Sequence, residues 1–227
     1  MAQGIDPVAL NTMTNPVGVL SPMEYQGFRV FKDKGKCANC HTLTNLVNNP
    51  NVARGQTELL PVLSDFSYHN LGIPKNWNSP RLNLVEFNPA GQSYIDLGLA
   101  TNPAYTPGTP EYLAAKGKFK TPTLRNIART TPYGHNGYFR SPSAPTADPI
   151  FNSLMMIVHF YSTRDVDGQG WPMTPMAPGP GFTPWPLPEV TDNLNTADMG
   201  NLMLLPDEGM ALVAFLMTLT DGFAPLP

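Results

Sequence analysis

At 227 residues the chain is long enough to bury a core of its own, and length alone allows one domain or two. A formal charge of −3 with no basic stripe argues against a nucleic-acid partner, and no apolar run is long enough to span a membrane. Charged residues make up only 14%, against 19 Gly and 26 Pro, so turns and irregular loops must replace much of the salt-bridged helix of an ordinary domain.

Residues 1–20 read as an extended arm. Met1-Ala2-Gln3-Gly4 lacks the basic end and apolar run of a signal peptide. Ser21-Pro22-Met23-Glu24 is a helix start, with Ser as N-cap, Pro at the first position and Glu at the third. The helix is predicted to run to about Lys34, with Phe28 and Phe31 on its buried face and Gly35 ending it. Cys37-Ala38-Asn39-Cys40-His41 follows at once, the pattern of c-type haem attachment. Each thiol can add to one haem vinyl group, and the adjacent histidine then lies under the iron as its proximal ligand. Both of the chain's two cysteines are in this motif, so none is left over for a second attachment site, a disulfide or a four-cysteine zinc site. One covalently bound haem c, and hence one domain, is expected. Thioether attachment requires export in bacteria, so the periplasm is expected from the chemistry, with a leader removed.

Beyond the motif, residues 42–108 are loop-rich, with Phe66, Tyr68 and His69 before a glycine turn at Gly72. A short helix is predicted at 110–116, capped by Thr109. Lys118 to Ile127 mixes basic and apolar residues, as suits a segment crossing a haem edge near the propionates. Thr130 to Gly137 reads as a tight, glycine-bounded loop. A helix follows from about Pro149 to Tyr161, with Leu154, Ile157, Val158 and Tyr161 on one side and Met155 and His159 on another. The prolines of 172–188 exclude regular structure there. A last helix starts near Pro206-Asp207-Glu208, with Met210, Val213, Ala214 and Met217 as its stripe and Leu212, Phe215, Leu216 and Leu219 widening it. The fold class is mostly α: a cytochrome c-like haem domain at 21–222, with long irregular Pro/Gly-rich loop insertions at about 42–108 and 165–200 and a tail at 223–227.

The motif at 37–41, Lys118-Phe-Lys-Thr-Pro-Thr-Leu-Arg-Asn-Ile127, Thr131-Pro-Tyr-Gly-His-Asn-Gly137 and Ala214 to Gly222 together resemble the C-terminal haem domain of the bacterial dihaem cytochrome c peroxidase and MauG superfamily. The resemblance runs over roughly 20–222. In that family two haem domains face each other; one binds peroxide and the other relays electrons. This sequence departs from the pattern in having a single haem motif. The resemblance therefore implies a haem c electron-transfer protein or subunit. The alternative is a hydrogen peroxide-dependent oxidoreductase, peroxidase or MauG-like, whose second haem domain comes from another subunit. A redox partner protein is expected in either case, as a second haem-domain subunit or a homodimer.

The second axial ligand decides the chemistry. In the family a methionine takes this place in the electron-transfer haem, or a tyrosine in the MauG-like branch, and the matching position here is Tyr161. A phenolate is a hard anionic donor that stabilises ferric iron and lowers the potential relative to methionine. Met173 and Met176 in the Pro-rich loop, His69, and Met155 or Met156 are the rivals, and an open or water-bound site is the remaining alternative. Arg125 is expected to hold a haem propionate. His135 is expected near the haem as a propionate or ligand-supporting partner, or else as a loop histidine fixing a turn. Thr130 and Pro132 match positions whose carbonyls bind calcium between the two haems in the family, so calcium is a further expectation. Trp171 and Trp185 are candidate relay, interface or lid aromatics.

Overall fold

Four α-helices and one two-stranded pairing frame the computed structural model, which describes residues 20–43, 62–141, 148–167 and 185–221. The helices are α1 (Pro22–Lys32), α2 (Pro110–Ala115), α3 (Pro149–Thr163) and α4 (Pro206–Thr218). Strands β1 (Tyr68–His69) and β2 (Phe119–Lys120) are antiparallel, with Tyr68 opposite Lys120 and His69 opposite Phe119. The described residues are thus helix-rich and strand-poor.

Local chemistry sets the helix starts. The Ser21 hydroxyl accepts the Glu24 N–H at 3.3 Å and the Glu24 carboxylate accepts the Ser21 N–H at 2.7 Å, a complete capping box. Thr109 caps α2 through the Tyr112 N–H at 3.2 Å. Asp148 caps α3, accepting from the N–H groups of Ile150 and Phe151. That helix runs past the expected Tyr161 to Thr163. Two residues short of the expected Lys34, α1 closes at Lys32.

The core centres on α1 crossing α4. A Cβ on Gly27 would stand 1.9 Å from the Ala211 carbonyl oxygen, so the two backbones touch where neither side chain intervenes. Around this point the Phe28 and Phe31 rings lie 5.5 and 5.4 Å from Phe215. The buried face of α4 differs from the predicted stripe. Ala211, Leu212, Val213, Phe215 and Leu216 are buried, whereas Met210 is exposed and Ala214 and Met217 are half-buried. Nearly every position from 210 to 217 is apolar, so periodicity alone could not fix the rotation; the small Ala211 opposite Gly27 does.

Helix α3 packs beside α4, with Met155 and Val158 against Gly209. Leu154 and Phe160 face the core with no exposure, and Phe139 joins them through its ring contact with Phe160. Trp185 donates from its indole to Thr163 at 3.0 Å and meets Phe160 edge-on, tying the 185–188 segment to α3. Trp171, Met173 and Met176 lie outside the described residues.

Irregular segments close the remaining side. Their register is held by backbone bonds between distant positions: Thr121 N–H to Ser67 at 2.9 Å, Asn195 N–H to Asn70 at 2.8 Å, Glu189 N–H to Ile73 at 3.1 Å. Asn70 is buried and adds three bonds, donating to the carbonyls of Val190 and Asp192 and accepting the Gly72 N–H.

Candidate haem-binding site

Directly after α1 the chain turns at Gly35, whose N–H reaches the Val30 carbonyl at 2.7 Å. A one-turn 3-10 helix, Cys37–Asn39, follows. Its Cys37 carbonyl accepts from both Cys40 N–H (3.3 Å) and His41 N–H (2.8 Å), which holds both cysteines and the histidine around one turn. All three line a cavity of about 430 Å³, within the ~300–1,000 Å³ typical of cofactor pockets. Leu71, Ile73, Leu124, Ile127, Ile157 and Met199 supply much of its apolar wall.

The His41 Nδ1–H donates to the Leu63 carbonyl at 2.8 Å, which leaves Nε2 for a metal. Burial holds its pKa below the ordinary value, against the Leu63 and Pro122 carbonyls, and so favours the neutral ring a metal ligand must be. Burial, reinforced by Cys40, pushes the Cys37 thiol up to about 12. Burial, with Asp65 and Asp198 nearby, pushes Cys40 up to about 11. Two thiols at one edge, a neutral imidazole and an apolar floor fit a covalently attached haem.

Tyr161 lines the same cavity, in the last turn of α3. Burial first, then the Cys37 and Cys40 sulfurs, push its phenol up, while Arg164 acts the other way. No described residue hydrogen-bonds its hydroxyl. His69 also lines the cavity, but its Nε2 meets Ser67 Oγ at 2.8 Å, Asp65 Oδ2 at 3.3 Å and Cys40 Sγ at 3.6 Å. That ring serves the Cys40 edge. Cys40, Asp65 and His69 offer ligand atoms within 4.8 Å of one another, enough to hold a metal ion while Cys40 remains a free thiol.

His135 lines the cavity, stacked on Phe119 at 3.6 Å with planes 9° apart. Its Nε2 lies 3.5 Å from Glu189, and the two side chains are 14% and 6% exposed. Burial opposes the Glu189 charge, but His135, the Asp96 N–H and Asn136 outweigh it and hold the carboxyl below its ordinary range. Thr130 and Pro132 are exposed at the cavity lining. Arg125, expected at a propionate, pairs through Nη2 with Asp221 at 2.9 Å and is not among the described residues that line the cavity. Its neighbour Asn126 binds the same carboxylate at 2.8 Å, so the C-terminal end of α4 captures this turn. Lys36 and Lys120 are the cations at the lining instead.

Sequence reasoning set aside as loop insertions two segments that furnish cavity wall: His69, Asn70, Leu71 and Ile73 from one, Asn195, Asp198 and Met199 from the other. Met199 was hidden among 11 methionines; its burial next to Gly200, whose N–H binds the Tyr161 carbonyl, singles it out.

No family model matches the chain. Its relatives nevertheless agree. It is 33% identical over 202 residues to the methylamine utilization protein MauG of Paracoccus denitrificans, covering 88% of this chain and 43% of that one. It is 28% identical over 172 residues to the cytochrome-c peroxidase IdrP2 of Denitromonas iodatirespirans, covering 69% and 35%. Among solved structures it resembles a tyrosine-to-methionine variant of the dihaem peroxidase BthA from Burkholderia thailandensis, with TM-score 0.57, 26% identity, and coverage of 96% of this chain and 46% of that one. BthA itself matches with TM-score 0.52 and 25% identity, covering 90% of this chain and 44% of that one. A haem-attachment turn delivered by α1 into a largely apolar cavity fits a c-type cytochrome fold. The chain belongs to the superfamily of MauG and the dihaem cytochrome c peroxidases. It spans less than half the length of these relatives.

Proposed function

We propose that the chain is the electron-relaying, C-terminal type of haem c domain of this superfamily, working in the periplasm against a second haem domain or another redox partner. Cys37 and Cys40 would hold one haem through thioethers, His41 would ligate its iron through Nε2, and Tyr161 would approach from the opposite face. The haem would supply a one-electron couple. The residues do the rest: the Leu63 carbonyl fixes the His41 tautomer, and the apolar wall excludes water. His135, Lys36 and Lys120 are groups at the lining that could meet a propionate. Thr130 and Pro132 could bind calcium through backbone oxygens where a partner domain completes the shell.

The observation that carries this reading is one cavity shared by Cys37, Cys40, His41 and a tyrosine whose hydroxyl has no described partner. Iron ligated on both faces has no vacant position for peroxide, which favours electron relay. The names of the relatives, two of them peroxidases, favour the second reading: a peroxide-dependent oxidoreductase assembled with a separate haem domain.

Ferric absorption and EPR spectra, with and without hydrogen peroxide, test both. Tyr161→Phe should change the ferric spectrum while leaving covalent haem content intact; an unchanged spectrum removes Tyr161 as ligand. The far-red band that a methionine sulfur gives ferric haem would point to Met199 or a loop methionine instead. A peroxide-induced spectral change in this chain alone would favour the enzyme.

A further inference from the structure

Helix α3 ends on a buried cation. The Arg164 side chain is only 3% exposed, and each of its three nitrogens donates a hydrogen bond. Nη1 donates to the Leu71 carbonyl at 2.9 Å, Nη2 to the Asn195 carbonyl at 3.0 Å, and Nε to Asp165 Oδ1 at 2.7 Å, with Nη2 also on Asp165 Oδ2. Leu71 and Asn195 belong to two different walls of the cavity, and Tyr161 and Ile157 on α3 form part of a third. One guanidinium therefore joins three walls.

The same turn is stitched down by the backbone. Arg164 N–H closes on Phe160 at 2.9 Å, Asp165 N–H reaches the Gly200 carbonyl at 2.9 Å, and Gly200 N–H reaches the Tyr161 carbonyl at 2.6 Å. The approach is close enough that a Cβ on Gly200, at φ +99°, would strike the Asp165 carboxylate. Asp165, half in solvent, balances the charge that Arg164 carries into the interior. By contrast, the Tyr161 hydroxyl has no hydrogen-bond partner among the described residues. Its aim is set by where the end of α3 is held.

We infer that Arg164 is the positioning residue for Tyr161: by clamping the last turn of α3 to the Leu71 and Asn195 walls, it fixes the phenol at the height in the cavity where it can meet the iron. The inference rests on Tyr161 being the ligand. A lysine can keep only part of this clamp, because a single ammonium does not span two carbonyls and a carboxylate in one plane.

The test uses haem-loaded protein and four variants: Tyr161→Phe, Arg164→Met, Arg164→Lys and Asp165→Asn. Far-UV circular dichroism and covalent haem content verify folding; the ferric spectrum and the midpoint potential are the readouts. Arg164→Met should lose the Tyr161-dependent spectral signature and shift the potential upward, in the direction of Tyr161→Phe. Arg164→Lys should lose part of it, and Asp165→Asn less. A wild-type signature in Arg164→Met, while Tyr161→Phe differs, overturns the inference. If Arg164→Met does not fold, wild-type signatures in both Arg164→Lys and Asp165→Asn overturn it equally. A wild-type spectrum in Tyr161→Phe instead removes the ligand assignment itself, and the positioning role with it.

Discussion

The crossing of α1 on α4 and the wall around the cavity are built by different physics. At the crossing, Gly27, Phe28, Phe31, Ala211 and Phe215 meet through close packing of backbone and rings. At the wall, segments with little regular structure are held by hydrogen bonds between distant positions, such as Asn70 and Asp192, 122 residues apart. The first arrangement stores stability in volume and shape. The second stores it in polar groups that have exchanged water for one another, where the net gain per bond is small and the loss of one partner is large. Stability should therefore reside mainly at the crossing, and the geometry of the site mainly at the wall.

Phe215→Ala tests the crossing and should have the largest effect. The ring is fully buried between Phe28 and Phe31, so its loss should cost about 3–5 kcal/mol. Chemical denaturation measures the cost. The fraction that stays folded with haem attached should keep the wild-type ferric spectrum. A spectrum altered as much as the stability would erase the distinction between the two regions.

Asn70→Leu tests the wall. It removes donors from the Val190 and Asp192 carbonyls and the acceptor from the Gly72 N–H. Unsatisfied buried polar groups cost roughly 1–3 kcal/mol, so the loss should be smaller than for Phe215→Ala. The ferric spectrum, however, should change, since Leu71 and the Asn195 segment would shift. Destabilisation with an unchanged spectrum would show that the wall does not set the site.

Acid should act on the wall through Glu189. Glu189 holds its proton less tightly in the folded chain, because His135, the Asp96 N–H and Asn136 outweigh the burial that opposes its charge. Its contribution is therefore complete above the unfolded glutamate value of about 4.3 and disappears as pH falls through the lower folded value. Thermal midpoints of wild type and Glu189→Gln should differ near neutrality and converge in acid. A gap that widens in acid would mean that the folded chain raises the Glu189 pKa instead of lowering it.

The same division explains what the sequence could reveal. Ser21-Pro22-Met23-Glu24 and the spacing of Phe28 and Phe31 announce α1, because capping and burial periodicity are local. The haem turn at Cys37 is equally local. The rotation of α4 was not legible, since a run apolar on every side has no phase. Nor was the wall: Leu71, Asn195 and Met199 carry no pattern, and their neighbours in space come from far along the chain. Tyr161 could be singled out only through resemblance, and Arg164, three residues on, gave no signal until its carbonyl partners were placed.

The smallest effect belongs to the surface edge of the crossing, where Lys34 on the chain leaving α1 pairs with Glu208 on α4 at 2.5 Å. The lysine side chain is 42% exposed, so solvent screens the pair, and Lys34→Ala should cost about 0–1 kcal/mol. Glu208 also caps its own helix. Its carboxylate accepts the Leu205 N–H at 2.7 Å, at a helix start that has no capping hydroxyl. Glu208→Ala should thus cost more than Lys34→Ala, by up to the ~0.5–2 kcal/mol of a lost cap. In high salt the Lys34→Ala effect should vanish while most of the Glu208→Ala effect remains, because screening weakens the ion pair and leaves the cap bond in place. Equal losses in both variants at every salt concentration would mean that the ion pair, and not the cap, anchors this end of α4.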